Sequence, residues 1–404
     1  MVRYHVVFWS HNRKLSAMKL EHIEIRDFRA VERLSLSFKD DLGLIRDCIP
    51  IVGPNTSGKT TILDAVALCL MPATELYQLR EGLRLTPSSL VRRGGIRASV
   101  TCIVWFSDAE VEATREVLER AGNPYNRPVP QENHVEVNWT FPDPQGRYRT
   151  GYYRCKPYDG WMLFRGRKVL LNNLHVPGLS SRDFRRLGHI LMFDQQRTGL
   201  AKKLTSYELA LLGELLDPDL SEGMGETEPD DPVGVGGPRR NGFGPVERTT
   251  DPRLILTSLA MRAQVAQDPE ATEKEQFARL CALYERVCHP HKIVGLYNTD
   301  HGLDMEFSGE RGVYSYDGLS SGQQMILLLL LQFATRRIHH SIVLIDELEL
   351  HLHPLWQDRL YNALTDLGDD NQFLFTTHST HLRDTIRDEF HHCTGEFDTS
   401  TVTQ

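Results

Sequence analysis

Three short stretches hold most of this chain's capacity for chemistry. Residues 53–60 read GPNTSGKT, glycines and small polar residues ending in a lysine and a threonine. Residues 341–354 read SIVLIDELELHLHP, an apolar run that breaks into Asp346, Glu347, Glu349, His351 and His353. Residues 373–380 read FLFTTHST, another apolar run ending at His378. Carboxylates and imidazoles at such short spacing are metal ligands. They are equally the acidic end of a strand in a site that hydrolyses nucleotides. IDELELHLHP alone does not choose between the two.

The glycine-rich stretch chooses. Gly53, Gly58, Lys59 and Thr60 match G-x-x-x-x-G-K-[ST] residue for residue. Its glycines let the backbone fold around phosphates, and amides at a helix N-terminus point at the anion. Lys59 reaches the β- and γ-phosphates of ATP in this reading, and Thr60 ligates Mg2+. Asp346 then belongs to the Mg2+ shell and Glu347 polarises the attacking water, while Glu349 reads as structural. Zinc hydrolases space their ligands one helical turn apart as H-E-x-x-H, a pattern this stretch lacks. The other histidine clusters, HPH at 289–291, HH at 339–340 and HHC at 391–393, are short and isolated.

The surrounding pattern supplies elements to position these groups. CIPIV (48–52) reads as a buried strand, and ILDAVALCLM after the glycine loop carries apolar residues at helical spacing, giving strand, loop and helix. KLEHIEIRDF alternates as a half-buried strand, and LSLSF (34–38) follows as a second. Residues 97–106, 134–141 and 147–155 read as antiparallel strands with a helix near 108–121. HILMFDQQRTG (189–199) is a buried strand entering a polar loop. Helical patterns return at 252–288, and short strands follow at 293–297, 302–307 and 312–316.

Composition excludes several classes. With 40% hydrophobic and 25% charged residues, the 404-residue chain is ordinary for a globular protein with a sizeable core. Its net charge of −8 argues against a generally basic nucleic-acid coat. Seven scattered cysteines without C-x-x-C fit reduced thiols in a cytoplasmic protein. MILLLLL (325–331) falls far short of the roughly 20 apolar residues a bilayer span needs. The segment 217–231 holds acids and no base, and VGVGGPRRNGFGP follows it, so 217–251 is expected to be flexible. Basic clusters at 91–97, 147–156, 164–168 and 181–188, the second interleaved with tyrosines, keep DNA open as a partner. Solvated strand faces are the plainer reading of them.

One more stretch completes the set. LSSGQQ (319–324) precedes the apolar helix, and small residues at a helix start form an anion site. Taken by itself the stretch reads as a plain helix cap at a turn; in a chain with its own phosphate loop, a second anion site would serve another molecule's nucleotide.

Phosphate loop, LSSGQ, acidic strand and strand-end histidine, in that order, resemble the ABC-type ATPase head of the SMC, RecF and OLD group. The match covers about 18–75 and 290–390. It implies an α/β P-loop NTPase fold with a mixed sheet, an antiparallel β-subdomain and a helical insertion. The corresponding divisions are an N-terminal extension (1–17), an N-terminal lobe (18–200), the insertion (201–290), a C-terminal lobe (291–390) and a tail (391–404). LSSGQ corresponds to the family's signature, so Ser320, Gly322 and Gln323 would meet nucleotide bound by a partner protomer. Asn55, Ser57, Gly58, Lys59, Thr60 and Thr61 would hold the chain's own ATP and Mg2+. Glu347 and His378 would be catalytic, and His353 would sit on the loop at the dimer interface. Gln195 or Gln196 would serve as the glutamine that senses Mg2+, and Arg29 resembles the family's FR element near the nucleotide. Leu348 stands where the family usually carries proline, which leaves the acid pair intact. The resemblance further implies a homodimer, open to higher oligomers. The dimer would act as regulatory ATPase of a prokaryotic anti-phage system with a separate nuclease or toxin as effector. The motivation is that the 26 residues after His378 are too few for the Toprim nuclease of OLD proteins. The competing expectation is a RecF- or SMC-like repair ATPase that binds DNA when ATP is bound; a transporter subunit fits less well.

Overall fold

The computed structural model describes residues 17–40, 42–52, 58–70, 87–123, 126–129, 131–146, 151–172, 186–193, 252–265, 272–300, 302–336 and 338–389. The expectations for Asn55, Ser57, Gln195, Gln196 and residues 217–251 lie outside them.

A short parallel sheet organises the chain. Its strands are β3 (Cys48–Val52), β7 (Ile190–Phe193), β11 (Ile342–Ile345) and β12 (Gln372–Thr377), in the order β3-β12-β11-β7. β11 and β12 are buried along their whole length. This is why they read as unbroken apolar runs rather than alternating ones. Because all four run the same way, the ends of β3, β11 and β12 emerge at one sheet edge. That edge is where open α/β sheets bind ligands.

The second sheet is antiparallel, in the order β2-β1-β4-β5-β6. It comprises β1 (Lys19–Phe28), β2 (Val31–Ser37), β4 (Ala98–Trp105), β5 (His134–Phe141) and β6 (Tyr152–Lys156). Here the alternation is clear: Val100, Cys102 and Val104 on β4, and Val135, Val137 and Trp139 on β5, turn inward. Trp139 meets Phe28 edge to face at 5.9 Å. Helix α1 (Lys59–Leu70) lies between the two sheets, and every residue but Thr60 is buried. A helix covered on both sides needs no polar face, which explains its apolar sequence. Buried Gln372 ties the sheets at their edge: its amide exchanges two hydrogen bonds with the Leu20 backbone (2.6 and 2.9 Å) and donates to the Arg46 carbonyl (3.0 Å).

The rest follows the chain. Helix α2 (Pro87–Leu90) is one turn; α3 (Asp108–Arg120) and α4 (Trp161–Asn172) pack together beside the antiparallel sheet. Helices α5 (Pro252–Val265) and α6 (Thr272–Cys288) precede a meander of β8 (Lys292–Thr299), β9 (Gly302–Gly309) and β10 (Gly312–Ser315). Then come α7 (Ser321–Arg336), α8 (Pro354–Ala363) and α9 (Thr380–Glu389). The sequence groups α5 and α6 with an insertion. In the fold, Leu256, Leu259, Tyr284 and Val287 share one core with Leu327, Leu330, Ile345 and Phe375 of the C-terminal lobe. The basic cluster at 164–168, read as a solvated strand face, lies on α4 instead. Among the described residues no helix is long and apolar enough to cross a membrane.

Candidate active site

Gly58 opens the site from the helix side. Its φ of +86° is one that only glycine adopts without strain, and its carbonyl accepts from Ile62 N to start α1. Lys59 follows, 4% exposed, with Nζ 3.1 Å from His378 Nδ1. Burial pushes the Lys59 ammonium below its ordinary pKa, against the opposing pull of Glu349, then Glu347, then Asp346. Three carboxylates thus surround one lysine.

Asp346 directly follows β11 and is fully buried. Its Oδ1 accepts from Thr60 Oγ1 at 2.9 Å and from Thr376 Oγ1 at 2.8 Å. Thr376 in turn accepts from the Glu347 amide at 2.8 Å. One buried hydroxyl on β12 therefore fixes both acids. Glu347 has φ +52°, a left-handed conformation that a non-glycine residue enters at a cost of about 1–3 kcal/mol. Such strain persists where neighbours over-determine the backbone, and Thr376 does so twice, since its carbonyl also accepts from Leu348 N. The Glu347 carboxylate, 22% exposed, faces His378 Nε2 at 3.6 Å. Glu349 Oε1 accepts from the His378 and Ser379 amides.

Lys59, Thr60, Asp346, Glu347 and His378, read from motifs up to 319 residues apart, thus converge at the sheet edge. Thr61 is buried beside them. A hydroxyl and a carboxylate are hard oxygen donors, and the excess of negative charge suits a divalent cation; the donor set fits Mg2+.

Ser320, Gly322 and Gln323 stand at the head of α7. Ser320 N donates to Gln323 Oε1 (2.8 Å) and Gln323 N to Ser320 Oγ (3.3 Å), a reciprocal cap. A Cβ on Gly322 would sit 2.6 Å from the His351 carbonyl, so this close approach needs glycine. Ser320 is exposed, but Gln323 is 3% exposed and donates to the Tyr314 hydroxyl. Its side chain is turned into the fold. Arg29 is likewise engaged within the fold: it pairs with buried Asp64 at 2.5 Å and lies over the Phe28 ring. His353 caps α8, accepting from Leu355 N, and is exposed. Sequence reasoning passed over Thr376 and Asp64. The first left a signal, a polar pair closing the apolar run FLFTT; the second left none.

Residues 189–384 match the family described as "AAA domain, putative AbiEii toxin, Type IV TA system". Residues 18–88 match a protein family of unknown function. The chain is 32% identical over 107 residues to the retron Vc95 probable ATPase of Vibrio cholerae, covering 24% of this chain and 21% of that protein. It is 38% identical over 79 residues to the retron Ec83 probable ATPase of Escherichia coli, covering 17% and 15%. The matched stretches therefore span about a fifth or less of those relatives. A solved SMC head bound to the winged-helix domain of ScpA superposes with a TM-score of 0.46 at 15% identity, over 90% of this chain and 91% of that one. The chain thus resembles, over its C-terminal half, an AAA-domain family and, over shorter stretches, the probable ATPases of two retrons.

Proposed function

We propose that the chain binds and hydrolyses ATP with Mg2+, closing as a head-to-tail homodimer around two nucleotides. In this reading it is the regulatory subunit of a prokaryotic anti-phage system whose nuclease or toxin is a separate protein. The observation that carries the reading is the convergence of Lys59, Thr60, Asp346, Glu347 and His378 at one sheet edge. Similarity to two retron ATPases supports the activity and the defence setting.

The N-terminus of α1 and Lys59 bind the phosphates, helped by Asn55, Ser57 and Thr61. Thr60 and Asp346 would hold the cation, with Gln195 or Gln196 as third ligand. When bound, Mg2+ offsets charge on the phosphate oxygens. Glu347 orients the attacking water by accepting its proton's hydrogen bond, and His378 Nε2 donates to the terminal phosphate. Ser320 and Gly322 come from the partner's α7. Gln323 and Arg29 act by shaping the loops beside the nucleotide, since their own side chains are engaged with Tyr314 and Asp64.

Replacing Glu347 by Gln keeps size and removes the base. Turnover is expected to fall about 100-fold or more, while an ATP-dependent dimer accumulates in size-exclusion chromatography. A Glu347→Gln chain that hydrolyses ATP like its parent would overturn the assignment. The effector arm is tested separately, by co-purifying the chain with the product of its neighbouring gene.

A further inference from the structure

We infer that Glu349 is a positioning residue of this site: its carboxylate grips the backbone of the His378–Ser379 turn and so fixes the His378 imidazole between Lys59 and Glu347. The inference rests on the ATPase reading and concerns a residue to which that reading gives no task.

Strand β12 ends at Thr377 and α9 begins at Thr380, so the His378 and Ser379 amides stand outside both. Backbone donors in such a turn need an acceptor. The His378 amide finds Glu349 Oε1, from the loop after β11, and the Ser379 amide is shared between that oxygen and Thr377 Oγ1, both at 3.1 Å. Bonds to a charged oxygen are roughly twice as strong as neutral ones. These amides also lie at the N-terminal end of α9, where the helix dipole favours an anion. The far side of the turn is held as well. Ser379 Oγ caps α9 by accepting from Leu382 N (3.1 Å) and donates to Gln357 Oε1 (2.6 Å), and Gln357 Nε2 donates to the Leu352 carbonyl (2.9 Å). With the backbone pinned from two directions, the ring lies between Lys59 and Glu347. An ammonium only donates, so His378 Nδ1 accepts from Lys59 and the neutral ring carries its proton on Nε2, the nitrogen facing Glu347.

A neutral acceptor would have held the amides without burying a charge. Glu349 Oε2 is buried with no hydrogen-bond partner among the described residues, an arrangement that costs free energy. Its place beside Lys59, whose Nζ faces the His378 ring, keeps that charge within the site.

The test compares the full chain with Glu349→Gln, Glu349→Ala, His378→Ala and the Glu349→Ala/His378→Ala double variant. Steady-state turnover and binding of a fluorescent ATP analogue are measured with Mg2+ present. Glu349→Ala is expected to lose about 10- to 100-fold in kcat, as for a displaced group near the chemistry, with analogue affinity held within about twofold. Glu349→Gln, which keeps an acceptor, is expected to retain more activity than the alanine variant. The double variant should be no slower than His378→Ala alone, because Glu349 acts through His378. Losses that multiply in the double variant, or a Glu349→Ala kcat within about twofold of the parent, would overturn the inference. Histidine-selective 15N spectra provide a readout independent of turnover. The His378 resonances, assigned by their loss in His378→Ala, should shift in Glu349→Ala and remain near parental positions in Glu349→Gln. Unchanged resonances in Glu349→Ala sink the positioning role. A parent that hydrolyses no ATP, with resonances that do shift, sinks the ATPase reading and leaves the positioning role standing.

Discussion

At the scale of single residues, the site depends on one hydroxyl that no motif marks. Thr376 donates to Asp346 and accepts from the Glu347 amide, so it aligns both acids and holds the left-handed backbone of Glu347. Thr376→Val keeps the shape and removes both bonds. We expect it to destabilise the chain by about 1–3 kcal/mol, the cost of leaving a buried donor unpaired, and to lower kcat more than ATP affinity. Urea unfolding alongside steady-state kinetics checks both; unchanged kcat would show that Asp346 and Glu347 hold their places without it. The residues legible from sequence were those whose roles come with fixed spacing: Lys59 and Thr60 within the glycine loop, and the acid pair after a buried strand. Their supports were not legible, because Thr376 reaches a partner 30 residues away and Asp64 one 35 residues away. Gln323 shows the opposite limit. A motif names it, yet the capping geometry at the head of α7 turns it into the fold.

At the scale of elements, period and burial explain what could be read. Alternating β4 and β5, and the unbroken runs of β11 and β12, declared themselves because one pair is covered on one face and the other on both. Helix α1 read as a plain buried helix for the same reason. The association of α5 and α6 with the C-terminal lobe was hidden, since an apolar helix face does not name its partner. It has a measurable consequence. Leu256 on α5 is fully buried among residues that include Leu327 and Phe375. Leu256→Ala is expected to cost about 2–5 kcal/mol, as deep truncations do, within a single unfolding transition. A freely attached insertion would instead leave the melting of the head unchanged.

At the scale of the whole molecule, charge and surface bear on partners. Several basic residues of the clusters that kept DNA open are engaged within the chain: Arg92 with Glu32 at 2.9 Å, Lys156 with Glu136 at 3.1 Å and Arg186 with Glu116 at 2.5 Å. Tyr153, which could have stacked on a base, donates its hydroxyl to the Leu68 carbonyl. Exposed pairs of this kind are weak and screened by salt, so they blunt a basic face without abolishing it. The surface features that suit a second protomer are exposed Ser320 and His353, both outside the Lys59 cluster. If each site combines Lys59 of one chain with Ser320 of another, two defective chains should repair each other. Lys59→Ala alone and Ser320→Arg alone are each expected to be inactive. Mixed in equal amounts, half of randomly paired dimers are hybrids, and each hybrid has one intact site of two. The mixture should therefore recover about a quarter of the parental rate, as a two-fold symmetric dimer requires. A site built within a single chain gives no recovery at any mixing ratio, because every chain present then carries a lesion in its own site.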